Sequence, residues 1–136
     1  MTGASSGRLS YFDASAFVKL ILAEPESEAL RETVGASTNL VAAAVTEVEV
    51  VRAVRRADPG GVEVARHRLG ALRLLAPTRA IRRRAGELDP PSLRALDAVH
   101  LSTALSVADE LAAFYCYDER LGAAAEAAGL PVRAPA

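Results

Sequence analysis

A chain of 136 residues fits one domain and leaves little room for a second. Hydrophobic residues make up 51% and aromatics only 4%, so the core is aliphatic and alanine-rich and needs no disulfide or metal staple. The formal net charge of −1 excludes a general positive field, so a nucleic-acid partner would have to be met by local arginine clusters or bound cations.

The single cysteine, Cys116, excludes an internal disulfide and a cysteine-based zinc site, and it suits a reducing compartment. The opening stretch MTGASSGRLS lacks the apolar run of a signal peptide. No window approaches the roughly eighteen consecutive apolar residues of a membrane span. A soluble, cytoplasmic protein is expected.

Short apolar runs then alternate with helical patterns. Residues 9–12 read as a strand, 14–22 and 26–34 as helices, and 40–44 as a second strand. A helix follows over 46–57, with Val48, Val51 and Val54 spaced for one buried face. Residues 62–72 continue as helix, 73–76 form a third strand, and 78–88 a densely charged helix. The best amphipathic helix covers 93–108, with Leu96, Val99, Leu101 and Leu105 as its expected buried side. A fourth strand at 113–117, a helix at 119–128 and a short strand at 132–133 complete the chain. Strands separated by helices require crossovers and a parallel sheet, so the predicted fold is a three-layer α/β/α sandwich. In such sheets the functional residues lie beyond the carboxyl ends of the strands.

Asp13 and Asp118 stand at such ends, each after an aromatic-bearing run and before a helix. Either can be a simple N-cap, but on parallel strands both project from one edge. Glu49 lies one turn into the helix after the second strand. Thr46 to Glu49 matches the spacing of a capping box, which gives Glu49 a purely structural alternative; Glu47 can serve the helix N-terminus. Asp97 lies beside a core-facing stripe, where a carboxylate needs an arginine or a metal as partner. Four acids at one edge would repel one another without a cation. An all-oxygen donor set suits a hard ion, Mg²⁺ or Mn²⁺, and hydrolysis of phosphodiesters is the natural chemistry of such a site.

The segments YFDASAFVKL, VTEVEVVRAVRR, LRALDAVHLSTAL and FYCYDERLGAAAEAAGL resemble, in order and spacing, the four signature segments of PIN domains, and most closely those of VapC toxins from VapBC pairs. The resemblance spans nearly the whole chain, so residues 1–136 are expected to form a single PIN domain. It implies a five-stranded parallel sheet and Asp13, Glu49, Asp97 and Asp118 as the catalytic and metal-binding acids. It also implies Mg²⁺ dependence, an RNA substrate such as tRNA or rRNA, a cognate VapB-type antitoxin and a homodimer. One departure is Cys116, where the family often carries Ser or Thr two residues before the last acid. Ser15 can assist the site or cap the helix after Asp13.

His100, three residues after Asp97, is expected to pack or hydrogen-bond; a triad with Ser102 or Ser106 lacks the strained nucleophile turn. His67 reads as a surface residue. Arg52 and Arg56 share the helical side of Glu49 and can meet phosphate or solvent. Lys19 can pair with Glu24 or contact phosphate. A dehalogenase-type phosphatase would need D-x-D where the chain has Asp13-Ala14-Ser15, and no P-loop is present. A receiver module fails for want of a lysine at a late strand end. The remaining alternative is an inactive PIN scaffold that only binds a partner.

Overall fold

The computed structural model describes residues 8–136; the first seven, on which most of the MTGASSGRLS reading falls, lie outside the described residues. The elements in order are β1 (Leu9–Phe12), α1 (Ala14–Val18), α2 (Ser27–Val34), β2 (Leu40–Ala43), α3 (Val45–Ala57), α4 (Val62–Leu69) and β3 (Arg73–Leu75). They continue with α5 (Arg79–Glu87), α6 (Ala95–Leu105), β4 (Leu111–Tyr115), α7 (Glu119–Ala127) and β5 (Val132–Arg133). The five strands form one sheet in the order β3-β2-β1-β4-β5, and every pairing is parallel.

Alternation along the strands divides the core into two layers. Phe12, Ala42 and Tyr115 point to one face, where they pack with Phe17, Leu30, Val50 and Val54 from α1 to α3. Their neighbours Tyr11, Val41 and Phe114 point to the other, against Leu101 and Ala104 of α6 and Leu121 and Ala125 of α7. Tyr11 stacks on Phe114 and Phe12 on Tyr115, so four of the six aromatics sit on the β1–β4 pair at the centre of the sheet. This is the three-layer sandwich expected from the alternating pattern. No helix among the described residues is long and apolar enough to cross a membrane.

Three local expectations are corrected. The helix expected over 14–22 stops at Val18 and continues only as turns, because Ser27 Oγ ties the following loop by donating to the Leu22 carbonyl and accepting from the Glu24 amide. On α3, Val48 is 56% exposed, and the buried stripe is Thr46, Val50 and Val54, spaced one helical turn apart. On α6, Leu96 is 49% exposed, since the first turn of that helix overhangs an open cavity; burial begins at Ala98.

Candidate active site

β1 and β4 are adjacent, and their register sets Phe12 opposite Tyr115. The Asp13 amide donates to the Tyr115 carbonyl at 3.2 Å, which fixes Asp13 at the carboxyl edge of the central pair. β4 ends at Tyr115 rather than at residue 117, so Asp118 lies on a short extension; the Cys116 amide still bonds to the Arg133 carbonyl there. Asp13, Glu49, Asp97 and Asp118 line one open cavity of about 600 Å³, together with Ser15, Arg94, Leu96 and His100. The cavity draws on β1, α3, α6 and the β4–α7 connection.

Each carboxylate is held by a different device. Asp13 is nearly fully buried and caps α1, accepting the Ala16 amide at 2.9 Å. Ser15 Oγ donates to it within 2.7–2.8 Å of both oxygens, and Cys116 Sγ donates at 3.3 Å. Burial pushes the Asp13 carboxyl above its usual range, and the Ser15, Ala16 and Cys116 hydrogen bonds oppose that rise. Asp118 caps α7 through the Leu121 amide at 2.9 Å. Glu49 reaches across from α3 to His100 Nε2 at 2.7 Å. An ionised carboxylate only accepts, so Nε2 carries the proton. His100 is buried, and the Tyr11 hydroxyl donates to its backbone carbonyl at 3.1 Å.

Asp97 is the least satisfied of the four. Its nearest cation is Arg94 Nε at 3.7 Å, and the Arg94 side chain is 74% exposed. Burial first, and then the negative charge of Asp118, raise its carboxyl above the usual range; Arg94 and His100 pull the other way, and Glu49 adds to the rise. The acids therefore feel one another as like charges across the cavity. Among the described residues no cluster of carboxylate, histidine or cysteine side chains closes tightly enough to enclose an ion unaided. Oxygen donors spaced around an open cavity fit a hard ion that keeps several waters better than one caged wholly by protein.

A model of the PIN domain matches residues 10–127. Ribonuclease VapC35 of Mycobacterium tuberculosis is 41% identical over 129 residues, spanning 92% of this chain and 96% of the relative. Ribonuclease VapC46 of the same species is 38% identical over 125 residues, with the same shares of each chain. The chain belongs to the VapC branch of the PIN-domain family. A toxin–antitoxin complex from Klebsiella pneumoniae has the same fold, with a TM-score of 0.71 at 19% identity over 93% of this chain and 98% of the other. VapC20 of M. tuberculosis, described as a sarcin–ricin loop cleaving toxin, matches with a TM-score of 0.71 at 16% identity over 93% and 99%.

The capping reading of Asp13 and Asp118 holds, and it coexists with their place in the cavity. The capping box does not form: α3 is capped at Ala44 with no side-chain bond, Thr46 lies inside the helix, and Glu49 turns away to His100. Ser15 leaves the capping to Asp13 and bridges instead, donating to that carboxylate and accepting the Tyr117 amide at 3.0 Å. No triad forms, because His100 pairs with Glu49, Ser102 donates to the Ile81 carbonyl and Ser106 to the Thr103 carbonyl. Arg52 and Arg56 are exposed and do not line the cavity. Lys19 is taken up by Glu24 at 3.2 Å and Glu26 at 2.7 Å.

The sequence reading missed the Glu49–His100 pair, the thiol donated to Asp13 and the position of Arg94 on the cavity wall. Glu49 and His100 stand 51 residues apart, and no local pattern links them.

Proposed function

We propose that this PIN domain is a divalent-metal-dependent endoribonuclease, the toxin of a toxin–antitoxin pair acting in the cytoplasm on structured RNA such as tRNA or rRNA. The observation that carries this reading is the convergence of four carboxylates on one cavity, where burial and then the like charge of Asp118 raise Asp97. The names of the relatives VapC35 and VapC46 support the reaction class, and the Klebsiella toxin–antitoxin complex supports an antitoxin as partner. Asp13, Glu49, Asp97 and Asp118 are the proposed metal-binding and catalytic acids. Their all-oxygen chemistry favours Mg²⁺, with Mn²⁺ able to substitute. When bound, such an ion supplies positive charge against phosphate oxygens and lowers the pKa of water.

The protein's own contribution is positioning. Ser15, Cys116 and the Ala16 amide fix both oxygens of Asp13. His100 fixes Glu49. Arg94, loosely paired, can meet a phosphate oxygen at the rim. A VapB-type antitoxin would neutralise the site by covering this acidic edge, with an arginine fork satisfying two carboxylates. A homodimer is part of the same reading, and sedimentation of the purified chain tests it. The deciding experiment is sequencing of RNA ends after brief induction in cells, with Asp97→Asn alongside. New ends at defined positions with the native chain, absent with the folded variant, are expected. No new ends with the native chain would leave the inactive scaffold as the better reading.

A further inference from the structure

Beside the acidic cavity is a second, largely apolar groove of about 510 Å³, and Arg94 and Asp97 belong to the walls of both. On one side of the groove stand Pro90 and Leu93, in the segment before α6; on the other stand Ala123 and Ala127 of α7. These alanines are exposed and lie one helical turn apart, so their side chains end at Cβ and leave the groove open. Arg120 completes the wall beside Arg94. Arg120 makes no ion pair among the described residues, and Arg94 has only its 3.7 Å contact with Asp97.

The flank of the acidic cavity formed by Ala14 and Ser15 differs. There a smaller recess shares Ala14 and Ser15 with the cavity and is lined by Lys19 and Tyr117. The Lys19 ammonium is already neutralised by Glu24 and Glu26 and lies 4.8 Å from the centre of the Tyr117 ring. One flank thus offers apolar walls with one unpaired and one loosely paired guanidinium group, and the other offers a cation that is spoken for.

We infer that the Arg94–Arg120 groove receives one unpaired nucleotide adjacent to the scissile phosphate. Its base would lie between the Pro90–Leu93 segment and the alanine face of α7, and its phosphate on the arginines. A base has apolar faces and a charged backbone, so this wall chemistry complements it; arginine planes also stack on bases. The groove's size lies in the range of small-molecule sites. The inference rests on the ribonuclease reading and adds a direction to it: sequence selection falls on one side of the cut, and the Lys19–Tyr117 side contributes little.

The test uses the full chain and a short oligoribonucleotide spanning the cut site mapped in cells, with each flanking base in turn replaced by an abasic residue. Loss of one particular flanking base should lower kcat/KM about tenfold or more, and loss of the base across the cut should change it far less. Filling the groove with Ala127→Leu, at an exposed position where leucine is a good helix former, should lower kcat/KM on the intact substrate similarly. It should cost nothing further on the abasic one, because both changes remove the same contact. The Mg²⁺-induced rise in melting temperature should be unchanged, showing the acids undisturbed; Ala123→Leu repeats the test if Ala127→Leu does not fold. Independent, multiplying losses would overturn the inference, as would a filled groove without effect. Loss of antitoxin binding with cleavage intact would make the groove a protein-docking site and equally overturn it. If the native chain cleaves no RNA at all, the ribonuclease reading itself has failed, a result distinct from cleavage that ignores the flanking base.

Discussion

Asp97 and Asp13 show how much of the site's character is electrostatic. Both carboxyls sit above their ordinary range through burial, and Asp97 also through Asp118. A group whose folded pKa is raised binds its proton more tightly in the native state. The metal-free protein should therefore lose stability as pH rises from the ordinary carboxylate range through the raised values, and level off above them. Asp97→Asn should flatten part of that fall and be at least as stable as the native chain at neutral pH. Urea unfolding at a series of pH values in EDTA measures both, and a native-like slope in the variant would detach Asp97 from the cluster. Cys116 makes a second residue-scale case. Burial and the Asp13 charge hold its thiol well above the usual range, so it stays protonated and donates to Asp13. Cys116→Ser keeps a donor and should retain cleavage within about threefold, whereas Cys116→Ala should lose more, in line with one hydrogen bond to a charged group. Comparable rates for the two variants would show that the donation is idle.

At the scale of elements, α3 presents a conflict between local pattern and packing. Its spacing of valines and the Thr46–Glu49 pair suggest one orientation, and the helix adopts another, rotated so that Thr46 is fully buried and Glu49 faces His100 of α6. The Thr46 hydroxyl is left with no hydrogen-bond partner among the described residues. A buried unsatisfied hydroxyl is costly, so Thr46→Val should stabilise the protein by about 1 kcal/mol, read as a rise in the urea midpoint at unchanged slope. A loss of stability would mean that the hydroxyl is satisfied in solution by water. α6 and α7 are positioned by the same logic: Leu101 and Leu121 anchor them to the sheet, and their first turns are left to carry Asp97 and to follow Asp118.

For the whole molecule, the acidic edge is a place where burial and like charge work against stability. Four carboxylates share one cavity, and among its lining residues the one arginine is the exposed, loosely held Arg94. An ion that binds only the folded site stabilises it by mass action, about 2.7 kcal/mol at a hundredfold excess over Kd. Mg²⁺ and Mn²⁺ should therefore raise the melting temperature, and Asp97→Asn should shrink the rise. The C-terminal peptide of a cognate antitoxin should compete with the metal in calorimetry. An identical metal shift in native and Asp97→Asn proteins would move the ion elsewhere.

The layered parallel fold was legible in the sequence because it follows from periodicity: strands buried on both faces read as short apolar runs, and the intervening helices force crossovers. The chain also disclosed Asp13 and Asp118, since an acid directly after a strand and before a helix is a local signature. Asp97 was marked as an acid needing an arginine or a metal, and Glu49 carried a capping-box alternative that the helix does not adopt. Asp97 has only its loose i,i+3 contact with Arg94, whereas the pairing of Glu49 with His100 was decided by tertiary packing, which alone brings α3 and α6 together over the carboxyl edge of β1. The orientation of α3 was equally out of reach, because Val48 and Val50 are alike in every local property. The packing of the helix against α1 and the sheet, rather than any feature of its own sequence, determines which of the two is buried.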